Sequence, residues 1–584
     1  MIAHDASGRV DETALEGLLA AYARVHGRLA HERLRAGDRA VIAAFTEPLA
    51  TDVERVGSSW ACAVGAVHGP RPLHAAPAED LDGQFALVAS DDGSRTVTVA
   101  SDPFAMLGVF VADRDGVTYV STSPLALATH LRARPDTTAI AAFLLTGGYF
   151  GRMTAWEGIE RLESATRVVF GPAGPRREQY WQPMVDPEIR GLGFSAAVDR
   201  CIDVAVTTLR QREWDGGTWL DLTGGFDSRL LALLLDRAGV PFECNTVGEP
   251  GDPDVEIAQG IARSRGWPWR RLALPPDWPQ HAPAFATQAL AAGGGQLDAV
   301  QLAEVMWHHR AKAAVRPSLL GGAGGEHWRH YAWAQEFWRA GRPEVNFDNW
   351  IDMRMLGPFD HALLARDVLP EVRADFGRRM RDRAARYAGQ PNTTQLDAMY
   401  AFKSTGHFGA YGHAAAPYLT FSYPFYFRAP FTATFSVRWQ HRHLVRMQRA
   451  AIARLDPHVA AMMTERGGPA EPVRATNVHR FAPYAARQLR GLVPKVSQRV
   501  LGRRLLSEHS RLPPIAAAGR QAILRDAAID PSALRSRGLV RPEAVAELLT
   551  DATDPGFDRW SILGRILTIE LALRAADAAI ETAG

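Results

Sequence analysis

The residues best equipped for chemistry cluster at Asp221-Leu-Thr-Gly-Gly-Phe-Asp-Ser228, between a short apolar strand and a leucine-rich helix. Paired glycines at a strand-to-helix turn expose backbone N–H groups, and the helix N-terminus behind them adds partial positive charge. Such a turn can hold a phosphate or pyrophosphate. Gly224 and Gly225 let the backbone come close, Thr223 and Ser228 add hydroxyl donors, and Asp227 brings a hard oxygen suited to Mg²⁺ bound to phosphates. No Gly-Lys-[Ser/Thr] follows, so the turn is not a Walker loop. The plainer reading is a glycine turn joining strand to helix; the full pattern in its strand–helix setting favours a nucleotide site.

The surrounding pattern supplies elements able to position this turn. A helix is expected over 195–211, a strand over 218–222, a helix over 230–237, a strand over 242–247, a helix over 255–265 and a third strand near Leu272. This β-α-β-α-β alternation predicts a parallel, doubly wound sheet. From about residue 288 onward the pattern is mostly helical, and residues 560–576 read as an apolar-faced helix packed on the rest. The front third reads as α+β, with an amphipathic helix over 11–35 built on Leu15, Leu18, Leu19 and Tyr22, and strands over 41–45, 85–90, 96–100 and 117–121. A turn-rich stretch over 171–177 leads to a domain boundary near residue 190.

Whole-chain properties limit the alternatives. At 584 residues the chain exceeds what one core supports, so at least two domains are expected. With 66 basic and 64 acidic residues the net charge is +2, which offers no general attraction for nucleic acid or an anionic membrane. Cys62, Cys201 and Cys244 form no close pairs, so neither a disulfide framework nor a zinc site is expected. There is no run of about 18 apolar residues and no signal-peptide pattern at the start, and the chain reads as cytoplasmic.

The turn Thr223-Gly-Gly-Phe-Asp-Ser228 resembles the S-G-G-x-D-S pyrophosphate loop of the asparagine synthetase family, with Thr223 keeping the hydroxyl of the first serine. Ser318-Leu-Leu-Gly-Gly-Ala-Gly-Gly-Glu-His327 is similar to that family's G-D-G-x-D-E loop. Gly322 and Gly324 fall on its glycines and Glu326 on its magnesium-binding aspartate, while Ala323 and His327 replace the other acids. Thr246-Val-Gly-Glu-Pro-Gly-Asp-Pro-Asp-Val-Glu256 resembles the stretch that meets the adenine; Val247 and Leu222 are the candidate contacts around the base, and Asp254 is either part of that stretch or simply an N-cap. Leu81-Asp-Gly-Gln-Phe-Ala86, Ser101-Asp-Pro-Phe104, Val120-Ser-Thr-Ser123 and Trp156-Glu-Gly-Ile159 resemble, in order, landmarks of its glutaminase domain.

The resemblance implies an α+β, Ntn-hydrolase-like, glutaminase-like domain over 1–190. Over 191–584 it implies an α/β adenine-nucleotide α-hydrolase (PP-loop) synthetase domain with a helical C-terminal part. It further implies ATP and Mg²⁺ as cofactors, Asp227 and Glu326 as the metal pair, and cleavage of ATP to AMP and pyrophosphate. The family's glutaminases use an N-terminal cysteine, and Ile2 stands at that position, so no glutaminase activity is expected; Cys62 reads as a buried core residue. Thr420 and Ser422 replace charged residues of the family's E-x-R-x-P-F pattern, which argues against an asparagine-like substrate.

The family's catalytic lysine segment corresponds to Thr464-Glu-Arg-Gly-Gly-Pro469, making Arg466 the candidate cation, with Lys403 as its competitor. The implied reaction joins a small-molecule or peptide carboxylate to an amine or ammonia, in the manner of relatives that close β-lactams or lasso-peptide macrolactams. A binding or scaffold protein without turnover is the alternative. The basic stretch 474–504 reads either as a solvated helix face or as a site for an anionic partner, and a homodimer is left open.

Overall fold

In the computed structural model, the residues described are 1–5, 11–27, 31–36, 39–44, 53–91, 93, 96–171, 173–214, 217–357, 359–487, 512–554 and 556–580. The alternation that begins at Phe194 folds as expected. Helices Phe194–Arg210, Asp227–Ala238 and Pro253–Arg265 separate strands Thr218–Asp221, Phe242–Val247 and Trp269–Leu272. The helix stops follow local chemistry: Gly239 and Gly266 cap two of these helices in the left-handed conformation at φ +75° and +68°.

All five strands of this sheet are parallel, in the order Trp269–Leu272, Phe242–Val247, Thr218–Asp221, Ser318–Leu320, Thr420–Ser422. The last two interrupt the region expected to be mostly helical. They are three residues each, too short for periodicity to separate them from the ends of helices. Side chains alternate across the sheet: Leu220 and Leu320 enter a core under helices Phe194–Arg210, Asp227–Ala238 and Arg446–Leu455, while Trp219 and Leu319 pack on the opposite face against Ala415 and Leu419. Burial on both faces explains why these strands read as continuous apolar runs.

The front part holds a six-stranded and a four-stranded antiparallel sheet. They meet face to face through Trp60, Cys62, Val97 and Val99 on one side and Ile2, Val109, Val111 and Val120 on the other. Two expectations need correction. The first helix spans Glu12–His26 only, ending at Gly27 with φ +82°, and His31–Ala36 is instead a strand paired with Arg39–Ala44. The turn-rich stretch contains the strand Gly174–Gln179, paired with Thr166–Gly171.

Near residue 190 the chain passes from Gln179 through an irregular stretch to the short helix Pro187–Gly191. The apolar core does not divide there. Helices Pro124–Leu131 and Thr137–Thr146 share one core with Trp278–Gly293, Leu369–Ala385 and Trp560–Ala575. Gln84, on the six-stranded sheet, also clamps the main chain after the fifth parallel strand: its Nε2 donates to Tyr423 O at 3.1 Å and its Oε1 accepts from Tyr423 N at 2.7 Å. No described helix is long and apolar enough to cross a membrane. Much of the basic stretch, residues 488–504, lies outside the described residues.

Candidate functional site

Strand order reverses between Thr218–Asp221 and Ser318–Leu320, which lie side by side with Trp219 opposite Leu319 and Leu220 opposite Leu320. Open parallel sheets bind ligands in the crevice beyond the carboxyl ends of strands at such a reversal. The two glycine loops singled out in the sequence continue these two strands, so they face each other at that crevice.

They also interlock. A Cβ at Gly322 would sit 2.8 Å from Ser228 N, and one at Gly325 would meet Asp227 at 2.6 to 2.7 Å. Gly324 holds φ +92°, and a Cβ there would fall 2.8 Å from Phe425 Cβ. Gly322 is thus required by close approach of backbone to backbone, and Gly325 by the Asp227 side chain packed against it.

The first loop is held by its own side chains. Thr223 N donates to Ser228 Oγ at 3.0 Å, the two hydroxyl oxygens lie 3.0 Å apart, and Gly225 N donates to Thr223 Oγ1 at 3.2 Å. Gly224 N donates to Asp254 Oδ1 at 2.9 Å. Asp254 is therefore not an N-cap: Asp252 occupies that position, and Asp254 lies inside helix Pro253–Arg265, reaching back to the loop. These N–H groups are aimed and paired with exchangeable oxygens, the arrangement an incoming phosphate oxygen would have to replace.

Leu222 is fully buried; its N–H donates to Asn245 O at 2.9 Å and its carbonyl accepts from Thr246 Oγ1 at 2.8 Å. Its side chain belongs to the core and offers no face to a base. Val247, half-exposed at the end of the neighbouring strand, keeps an apolar surface available.

Asp227 and Glu326 come together, as the sequence suggests. Burial pushes the Glu326 carboxyl up to about 7, and the negative charge of Asp227 pushes the same way, while Arg329 opposes both. The Asp227 carboxylate is already engaged: Oδ2 accepts from Arg329 at 2.6 Å and Oδ1 from Gln448 Nε2 at 2.5 Å. Among the described residues no group of three or more His, Cys, Asp or Glu is placed to hold a metal ion. Two mutually repelling carboxylates nevertheless fit Mg²⁺, which commonly takes one or two protein carboxylates and completes its shell with substrate phosphates and water. Arg329 and Gln448 were missed in the sequence. Arg329 follows Glu326 by three residues and was legible as a nearby charge, whereas Gln448 comes from a distant helix with no local signal.

The segment over 463–469 lies against the first loop. Glu465 N donates to Gly224 O at 3.3 Å, and buried Arg229 ties the two together by donating to Gly224 O at 3.3 Å and Met463 O at 2.8 Å. Arg466 is exposed and donates to Glu465 Oε1 at 3.2 Å. Lys403, on helix Asn392–Ala415, instead gives its ammonium to Arg354 O. Burial, and after it the charge of Arg354, lowers its pKa to about 8. The structure thus brings Arg466, not Lys403, beside the glycine turn. Ser422 is buried in the fifth strand, and its backbone carbonyl accepts from Gly321 N at 3.0 Å, which ties the second loop to that strand.

In the front part Ile2 is fully buried between the two sheets. Cys62 is buried and free, as are Cys201 and Cys244. Burial pushes the Cys62 thiol up to about 11.

Fold and loops together define a mixed α/β protein whose doubly wound parallel sheet carries two interlocked glycine loops at its switch point. No family model and no curated protein matches the chain.

Proposed function

We propose that the chain is an ATP-dependent ligase that activates a carboxylate as its adenylate and joins it to an amine, resembling the asparagine synthetase family. The observation that carries this reading is the contact of residues 222–228 with 321–326 at the carboxyl ends of adjacent, order-reversing strands. In this reading Thr223, Gly224, Gly225 and Ser228 hold the departing pyrophosphate through N–H and hydroxyl donors. Gly322 and Gly324 keep the facing loop close enough for Glu326 to share a cation with Asp227. Mg²⁺, when bound, would neutralise phosphate charge and align the leaving group. Val247 offers an apolar edge to the adenine. Arg466, released from Glu465, offsets charge developing at the reacting carboxyl group.

Ile2 is fully buried and burial pushes the Cys62 thiol up to about 11, so in this reading the front part supplies no ammonia through either residue, and the nitrogen comes from free ammonia, a partner or an amine on the substrate, which fits tailoring of a peptide or secondary metabolite. One observation favours the second reading, a scaffold without turnover: Asp227 is saturated by Arg329 and Gln448, and Gly224 N–H by Asp254.

Incubation with ATP, Mg²⁺ and a panel of carboxylates and amines separates the readings. The ligase releases AMP and pyrophosphate, carries oxygen-18 from a labelled carboxylate into AMP, and slows when Ser228→Ala removes one donor. ADP as the product, or label in inorganic phosphate, would rule out adenylation; no nucleotide turnover with any pair would favour the scaffold.

A further inference from the structure

Outside the nucleotide loops, a cavity of about 30 Å³ lies between the front sheets and helix Asn392–Ala415, lined among others by Arg161, Arg383, Glu163, Ala401 and Thr405. A water needs roughly 10–15 Å³ of such space, so the cavity holds an occupant of two or three heavy atoms. Arg161 is 4% exposed, yet no carboxylate among the described residues forms an ion pair or hydrogen bond with it. One of its terminal nitrogens donates to Ala105 O, and its buried Nε has no partner. Arg383 also lacks a partner at Nε and packs its guanidinium over the Phe402 ring at 5.5 Å.

Two acids lie near this pair of cations, and neither satisfies them. Asp102 spends its carboxylate on the N–H groups of Phe85, Phe104, Met106 and Leu107. Glu163 lines the cavity but forms no ion pair with either arginine. The rim is held in an unusual backbone conformation: Ala105 and Ala165 both have φ +50°, and both donate to the carbonyl of Asp102, at 3.0 and 2.9 Å. Strained backbone of this kind persists where the surroundings enforce it, and it clusters at ligand clamps.

We propose that this cavity binds one small monovalent anion, chloride or a one-carbon carboxylate, between Arg161 and Arg383. Buried guanidinium donors without acceptors are costly, and an anion satisfies both in a space too small for a larger metabolite. The site is separate from the nucleotide loops. Helix Asn392–Ala415 turns Ala401 and Thr405 toward the cavity, while Tyr400 packs against His327 of the second glycine loop with ring centroids 5.6 Å apart. Anion occupancy therefore bears on the helix that also flanks the proposed active site.

The test is thermal melting of the full chain without nucleotide, in sodium chloride, sodium formate and sodium gluconate at matched ionic strength. Chloride or formate should raise the midpoint by about 1–3 °C and saturate, and gluconate, too large to enter, should not. The salt acting at the lower concentration identifies the preferred anion. Arg161 supports the Ala105 carbonyl, so its removal endangers folding; Arg383→Met and the cavity-filling Ala401→Val are used instead, and each should abolish the rise. An equal rise in gluconate, or retention of the chloride and formate effect in both variants, overturns the proposal.

Discussion

The carboxyl end of the parallel sheet and the face-to-face front sheets both depart from the asparagine synthetase pattern that the chain resembles, with opposite consequences for the proposed reading. At the parallel sheet, Ala323 stands in for an acid, but Glu326 and Asp227 still meet and repel each other across interlocked loops. In the front sheets, Ile2 is packed into the core, with Cys62 buried beside other apolar residues. In the proposed reading, a replaced side chain is tolerated where neighbours still supply charge at the crevice. In the same reading it is not tolerated where the position is taken up by packing.

The largest effect that could break this contrast is expected from Asp227→Asn. Removing the charge should lower ATP-dependent turnover by about 100-fold or more, because a preorganised electrostatic partner is lost at the reacting phosphates. Asp227 also neutralises Arg329, whose side chain is 9% exposed, so the variant should lose about 1–3 kcal/mol of stability as well. Unchanged pyrophosphate release in a folded variant would place the chemistry elsewhere.

A smaller effect is expected from Gly322→Ala. The new methyl would lie 2.8 Å from Ser228 N, and backbone cannot yield as a side-chain tip can. Overpacking of this kind costs about 1–3 kcal/mol. A displacement near 1 Å at the loop should slow turnover by about 10–100-fold. Urea melts and pyrophosphate release, measured together, show whether loop spacing rather than charge sets the activity. Wild-type values in both would mean the two loops do not depend on each other.

Much of this contrast was legible before the structure. The Thr223 to Ser228 pattern and the β-α-β-α-β alternation located the first loop on its strand, because glycine at a strand end and leucine at helical spacing are local signals. The pairing of Asp227 with Glu326 was legible only through the resemblance, since a separation of 99 residues carries no periodicity. The strands Ser318–Leu320 and Thr420–Ser422 were missed because three residues cannot establish a period of two. Asp254, Arg329 and Gln448 act through tertiary approach, and Asp254 looked like an N-cap because Asp before a helix usually is one.

The two candidate cations allow a finer test by pH. Lys403 has a folded-state pKa of about 8 against 10.5 when unperturbed. Between those values the unfolded chain holds a proton that the folded chain has released, so the unfolded state binds more protons and stability rises with pH through that window. Guanidinium groups in general do not give up a proton in that window. Urea midpoints from pH 7.5 to 9.5 should therefore climb in the wild type relative to Lys403→Met, and Arg466→Met should follow the wild type. Parallel profiles for wild type and Lys403→Met would show that Lys403 is more solvated than its burial indicates.

The smallest effect is expected from Cys62→Ala, and its smallness is the point. A nucleophilic thiol must ionise near neutral pH, and burial holds Cys62 at about 11, leaving about one thiolate in 10⁴ at pH 7. Its neighbours across the strands are Val53 and Val88, and its side chain sits in the core that Ile2 and Val97 share. Wild type and variant should both show no glutamate release from glutamine, and both should use a free amine equally well. The substitution should cost about 1 kcal/mol of stability, as loss of a small apolar core group does. Glutamate release that disappears in Cys62→Ala would mean the front sheets open to expose the thiol, and the contrast between a retained site at the parallel sheet and a filled one in the front sheets would fall with it.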